Sequence, residues 1–181
     1  LLPLRTMDPD AAADRRLVAV SSLPPSSRAL FPFASFNRMQ SECFDEAYGS
    51  DRSMVVSAPT GSGKTVLLEL ALARLWSSGG RGAAAAVYIA PLKALTTERA
   101  ADWKRKLGAA YTVLELTGDT AEAADEAAVA SADLIVTTPE KWDSFSRFRR
   151  DAQGVMGRVA LLLLDEVHLL HDPKRGPGTP R

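Results

Sequence analysis

Residues 54–75, MVVSAPTGSGKTVLLELALARL, decide the fold. The stretch opens on a short apolar run, MVVSA, passes through a glycine-rich turn and continues into a segment of helix-forming composition. Strand, loop and helix in that order are the setting a phosphate-binding loop needs. Gly61 and Gly63 let the backbone turn with its N–H groups inward, and a helix beginning near Lys64 adds the positive end of its dipole. APTGSGKT, residues 58–65, is therefore read as an anion cradle whose turn also contains Thr60 and Ser62. Lys64 is expected to reach the β- and γ-phosphates of a nucleotide as a point charge, and the Thr65 hydroxyl to ligate Mg²⁺. The pattern ordinarily opens with glycine, and Ala58 stands in that place.

Four further apolar runs follow the 54–58 run: AAVYIA at 85–90, TVLEL at 112–116, DLIVTT at 133–138 and VALLLL at 159–164. Several are apolar almost throughout rather than alternating, which is the signature of parallel strands covered on both faces. Between the runs, 64–77 and 94–107 have the length and composition of helices, so consecutive strand-helix-strand units are the economical topology. The expected fold class is α/β, a mainly parallel sheet flanked by helices on both faces. SSGGRGAAAA at 77–86 reads as a low-complexity turn into the second strand.

The last strand runs into LLLLDEVH, residues 161–168, and ends in two adjacent carboxylates. In open α/β sheets ligands gather at the C-terminal edge of the strands. Asp165 is expected to hold the Mg²⁺ that Thr65 also touches, and Glu166 to orient or deprotonate the water that attacks the γ-phosphate. A carboxylate pair after an apolar strand is more often a solvated strand end; its pairing with APTGSGKT is what makes it a site. His168 and His171 stand at helical i, i+3 spacing, but the order is wrong for a zinc-protease motif and no cysteine lies nearby.

With 181 residues and 46% hydrophobic content, the chain is long enough for one core of ordinary size and too short for two full lobes. Residues 1–16 are expected to be a disordered tail and 17–32 an N-terminal linker segment, since Pro24 and Pro25 forbid a helix through that point. Residues 33–181 then form the globular domain, expected to be incomplete at its C-terminal end. Twenty-two basic residues balance 22 acidic ones, so any contact with nucleic acid must be local. The single cysteine, Cys43, cannot close an internal disulfide and reads as a buried thiol in a reducing compartment. No apolar window is long enough to span a membrane, and a soluble intracellular protein is expected.

APTGSGKT, APLKAL, TGD, TTPEKWD and DEVH occur in this order and together resemble the motifs of superfamily 2 helicases, most specifically the Ski-two-like group. The resemblance covers roughly residues 17–176, and FN-x-x-QS before the phosphate loop is similar to the meiotic crossover (MER-three type) DNA helicases. It implies a P-loop NTPase fold, the first of two RecA-like lobes, with ATP and Mg²⁺ as ligands. It implies that Gln40 reads the adenine edge, a task its amide suits by donating and accepting in one plane, with Phe36 or Phe33 near the base. Pro91, Leu92 and Lys93, then Thr117 and Gly118, then Thr138, Pro139 and Lys141 would line the track of one nucleic-acid strand. His168 would report nucleotide state to a later motif. A second lobe of the same protein, outside this chain, would supply an arginine to the γ-phosphate.

The resemblance further implies single-stranded or junction nucleic acid as partner, DNA favoured over RNA, a role in meiotic recombination and a nuclear location. Pro91 and Pro139 also suit plain strand-to-helix turns, and both readings hold together. Trp103 and Trp142 are expected to pack rather than stack on bases, and RFRR at 147–150 to be a solvated helix end. Three rival readings are an RNA helicase of the spliceosomal relatives, a lobe that binds nucleotide or nucleic acid without unwinding, and a P-loop enzyme of another kind. The last has no use for TTPEKWD or APLKAL.

Overall fold

Val87 pairs with Ile135 on one side and Leu162 on the other, which puts it at the middle of a parallel sheet. In the computed structural model, which describes residues 16–79, 82–117, 126–148 and 155–171, the strands are β1 (Ala85–Ile89), β2 (Val113–Leu116), β3 (Leu134–Thr137) and β4 (Val159–Leu164). Their order across the sheet is β2-β3-β1-β4, and every pairing is parallel. The chain divides into two compact units, Leu1–Leu67 and Leu68–Arg181, and each is taken by itself.

The sheet belongs to the second unit. Side chains of successive strand residues point to opposite faces, so Val87, Ile89, Leu116 and Ile135 enter one core. Val129 of α6 (Glu126–Ser131), Phe145 of α7 (Pro139–Phe148) and Val155 close that core from outside. Tyr88 points the other way and meets Trp103 of α5 (Lys93–Leu107) edge to face, with ring centroids 5.0 Å apart. Helices therefore cover both faces, as the apolar runs predict. Trp103 is fully buried, and Trp142 stacks on Phe145 at 5.9 Å; both pack, as expected.

Helix α4 (Lys64–Gly79) contributes Glu69, Leu70 and Trp76 to the same unit. Glu69 is buried, and its Oε1 accepts from Trp103 Nε1 at 3.0 Å and from Lys106 Nζ at 2.7 Å. Lys106 also pairs with Asp102 at 3.0 Å, so the buried carboxylate is compensated from α5. At the opposite end of the strands Asp133, also buried, accepts from Gly82 N at 2.9 Å and Thr112 N at 2.8 Å and so ties two loops to the sheet.

β4 differs from the fully covered strand the sequence suggests. It lies at the sheet edge, and Leu162 and Leu164 are about half exposed at 51% and 46%. The 54–58 run, expected as the first strand, forms no strand: it has no ladder partner, and Val55 is 78% exposed. An apolar run becomes a strand only when its N–H and C=O groups find a neighbouring backbone, and 54–58 find none among the described residues.

In the first unit, residues 17–32 carry structure where a linker segment was expected. A 3₁₀ turn (Val20–Ser22) and helix α1 (Pro25–Arg28) bury Leu23, Leu30 and Phe31. Pro25 stops nothing there; it occupies the first helical position, where its missing N–H costs nothing. A bridge between Ala19 and Ser35 closes the segment. Phe36 lies at its centre, with Phe31, Phe33 and Phe44 at 5.2, 5.4 and 5.4 Å. Helices α2 (Arg38–Glu42) and α3 (Phe44–Ala47) follow, and the Cys43 thiol between them is half-buried rather than buried. The expected tail lies outside the described residues apart from Arg16. No described helix is long and apolar enough to cross a membrane.

Candidate nucleotide and nucleic-acid site

The phosphate loop is held from behind by its own unit. Asn37 caps α2 by accepting from Gln40 N at 2.9 Å, while Gln40 Oε1 accepts from Asn37 N at 2.9 Å, a reciprocal capping box. The same two side chains then reach the loop: Asn37 Nδ2 donates to Ser62 O at 2.9 Å and Gln40 Nε2 to Gly63 O at 3.2 Å. Two loop carbonyls are thereby engaged by side chains of the α2 segment. Gly61 and Gly63 both adopt positive φ, +81° and +88°. At Gly63 a Cβ would also lie 2.3 Å from Gln40 Nε2, so glycine is required there on two counts.

Lys64 Nζ donates to Ala58 O at 2.8 Å and Pro59 O at 3.2 Å, so the ammonium rests on the loop's own carbonyls. The Ser62 hydroxyl is buried without a partner, and an acceptor oxygen would satisfy it. Thr65 is half-buried in the first turn of α4, while Thr60 and Gly61 are exposed at the loop tip. Positive φ glycines, a lysine and an orphaned hydroxyl fit a phosphate. Gln40 is 5% exposed, and its amide keeps one N–H and one lone pair beyond the bonds already made. Phe36 is fully buried in the aromatic cluster and supports Gln40's helix rather than offering a ring face.

In the second unit, the C-terminal ends of all four strands fall on one edge because every pairing is parallel. Ile89, Thr137 and Leu164 are in register, as are Leu116 and Thr137. Thr117, Thr138 and Asp165 follow them directly and Pro91 one residue later, so the segments expected to line the strand track and the acidic pair share that edge. Lys93 opens α5 and is exposed; Pro139 opens α7, with Lys141 half-buried two residues on in the same turn. Thr117 is buried, and Gly118 lies outside the described residues.

Asp165 is fixed at three atoms. Its N–H donates to Ile89 O at 3.0 Å, extending the ladder by one bond. Oδ1 accepts from Glu166 N at 3.0 Å, and Oδ2 accepts from the Tyr88 hydroxyl at 2.9 Å. Glu166 has φ +48°, a left-handed conformation rare for a non-glycine and typical of strained functional turns. Its Oε2 lies 3.3 Å from Nδ1 of the exposed His168, while the His171 side chain is outside the described part. Burial, with the Asp165 charge adding to it, pushes the Tyr88 phenol well above its ordinary value and keeps it protonated as a donor. Hard carboxylate oxygens with lone pairs to spare suit Mg²⁺.

Two partners in this arrangement escaped the sequence reading. Asn37 carried a signal, since Asn followed three residues later by Gln is a capping box. Tyr88 carried a weaker one, a hydroxyl in a strand buried on both faces, which must find an acceptor.

A parallel α/β sheet with an acidic pair at its C-terminal edge, in a chain that also carries a glycine-lysine phosphate loop, defines the nucleotide-binding lobe of a P-loop NTPase. The DEAD/DEAH box helicase family model matches residues 37–180, and the chain belongs to that family. It is 48% identical over 170 residues to the ATP-dependent DNA helicase MER3 homolog of Oryza sativa subsp. japonica, covering 87% of this chain and 14% of that protein. It is 44% identical to human probable ATP-dependent DNA helicase HFM1 over 89% of the chain and 11% of that protein. Against chicken (Gallus gallus) activating signal cointegrator 1 complex subunit 3 the identity is 44% over 98% of the chain and 8% of that protein. The chain thus spans less than a sixth of the length of these relatives.

Two solved structures share the fold at low identity. The DUF1998 helicase MrfA bound to DNA matches with a TM-score of 0.66 and 18% identity, over 76% of this chain and 20% of that one. The DEAD-box helicase Mss116 bound to ssRNA and UDP-BeF matches with 0.62 and 18%, over 86% and 43%. The expected Ski-two-like resemblance and the α/β fold class both hold.

Proposed function

We propose that this lobe belongs to a helicase that couples ATP hydrolysis to movement along one strand of nucleic acid, DNA in preference to RNA, and so unwinds duplexes in meiotic recombination in the nucleus. The observation that carries the reading is the single sheet edge on which Thr117, Thr138, Pro91 and Asp165 follow the four strands. Strand-end hydroxyls, backbone N–H groups, Lys93 and Lys141 suit phosphate contacts that ignore sequence, as a translocating motor needs. The DNA preference rests on the similarity to MER3 and HFM1 proteins.

In this reading the loop from Thr60 to Thr65 receives the phosphates: backbone N–H groups and the Ser62 hydroxyl donate, and Lys64 leaves the Ala58 and Pro59 carbonyls to meet the β- and γ-phosphates. Mg²⁺, when bound, neutralises charge that develops on the phosphate oxygens. Asp165, with lone pairs to spare on both oxygens, would be its ligand in the second unit. Glu166 takes the proton of the attacking water, and His168, whose Nδ1 faces Glu166, relays the state of that carboxylate. Gln40 uses its remaining N–H and lone pair for the adenine edge. A second RecA-like lobe supplies the arginine and closes on the nucleotide, so residues 1–181 alone bind nucleotide weakly and hydrolyse almost none.

The test is ATPase stimulation of the intact protein by single-stranded DNA and by RNA of matched length. Stronger stimulation by DNA is expected. Preference for RNA would move the protein to the splicing-type reading, and no stimulation by either would leave a nucleotide-binding module.

A further inference from the structure

Tyr88 stands outside every motif that marks this site, yet it makes the only side-chain bond to Asp165 among the described residues. It sits in β1 beside Leu163 of β4 and is 1% exposed. Its ring is held edge-on by Trp103, at 5.0 Å and 89°, and Trp103 is itself pinned by the bond from Nε1 to Glu69. The Arg99 guanidinium lies 5.7 Å from the Trp103 ring centroid. The phenol carries a single proton, and its bond to Asp165 Oδ2 uses it.

We infer that Tyr88 is a positioning residue for the metal-binding carboxylate: with Glu166 N on Oδ1 and the Tyr88 hydroxyl on Oδ2, Asp165 is locked in one rotation. A carboxylate otherwise rotates broadly about its terminal torsion, so a cation arriving at an unlocked Asp165 has to order it first. Each oxygen keeps a further lone pair for the cation. Donors in this outer position typically govern metal affinity by ten- to a hundredfold. The inference rests on the reading of Asp165 as a Mg²⁺ ligand, and the pattern reaches from Asp165 through Tyr88 and Trp103 to Glu69 on α4.

The experiment compares wild type, Tyr88→Phe and Asp165→Asn in the intact protein, by titrating Mg²⁺ against binding of a fluorescent ATP analogue, with thermal melting alongside. Tyr88→Phe keeps the ring and removes one oxygen. It is expected to raise the half-saturating Mg²⁺ concentration roughly tenfold while nucleotide affinity without Mg²⁺ and the melting temperature stay near wild type. Trp103→Phe, which removes part of the edge that holds the Tyr88 ring, should shift the Mg²⁺ requirement in the same direction by less, and serves if Tyr88→Phe does not fold. An unchanged Mg²⁺ requirement in Tyr88→Phe beside a raised one in Asp165→Asn overturns the inference and leaves the metal reading intact. Equal loss of affinity with and without Mg²⁺ overturns it in favour of a packing role. An unchanged requirement in Asp165→Asn overturns the metal reading itself, and the inference with it.

Discussion

Gln40 Nε2 donates to the Gly63 carbonyl at 3.2 Å, and a Cβ at residue 63 would stand 2.3 Å from that same nitrogen. Gly61 shares the positive φ but has nothing within 4 Å of an added Cβ. The two glycines therefore separate backbone strain from steric conflict. Gly61→Ala should destabilise the first unit by about 1 kcal/mol, the left-handed penalty alone. Gly63→Ala should cost about 2–3 kcal/mol, because the amide must also move. Urea unfolding of both variants measures the difference, and equal costs would show that Gln40 does not back the loop.

Glu69 gives a second test, in the other unit. It is 3% exposed and relies on Lys106, itself 23% exposed, and on the Trp103 indole. Lys106→Met leaves the carboxylate with one neutral donor and should destabilise by roughly 3 kcal/mol, the low end for a broken buried pair because water reaches the lysine. Lys106→Met combined with Glu69→Leu should recover much of that loss, since apolar replacement of both partners removes the unpaired charge. Chemical denaturation reads both; a double variant no more stable than the single one would contradict the account.

The same cluster sets a pH dependence. Burial raises the Asp102 carboxyl, but bonds from Lys106 and Arg105 outweigh it and hold the group below its ordinary 3.8. Burial lowers Lys106, and Glu69 with Asp102 outweigh that and hold it above 10.5. A lowered native acid contributes stability that is complete above pH 3.8 and lost as pH falls through the native value. A raised native base contributes stability that is complete below pH 10.5 and lost as pH rises through its native value. Asp102→Asn should flatten the acid limb of a melting-temperature profile and weaken the alkaline limb, where Glu69 still holds Lys106. An acid limb as steep as wild type would show that Asp102 is not the group titrating.

Much of this was legible before any coordinates. Four apolar runs became four parallel strands because buried strands of that kind need no alternation, and the residues after them fell on one edge by topology alone. The 54–58 run failed as a strand since apolar sequence does not say whether a ladder partner is present. The 17–32 segment misled through its prolines: Pro24 and Pro25 mark where a helix can begin as well as where one must stop. Nothing in the sequence marks Gln40 as buried; the capping box with Asn37 and the bond to the Gly63 carbonyl hold it there. Tyr88 was hidden in an apolar strand, where its hydroxyl is the one polar atom and its acceptor lies 77 residues away.

The strand track predicts a salt signature. Lys93 opens α5 and Lys141 lies in the first turn of α7, and in the proposed reading both would meet phosphates of the strand. Lys93→Ala and Lys141→Ala should each weaken single-strand binding at low salt and lower the slope of log affinity against log salt by about 0.7, one phosphate contact on a single strand. Fluorescence anisotropy across a salt series measures this. An unchanged slope in both variants would take the lysines off the track.

The central claim is that residues 58–65 hold the phosphates of ATP for hydrolysis, and Lys64 is its most direct probe. Nucleic-acid-stimulated ATP hydrolysis by the intact protein should fall by about a hundredfold or more in Lys64→Ala, the scale on which loss of one transition-state charge partner acts. Turnover near wild type in that variant would contradict the account.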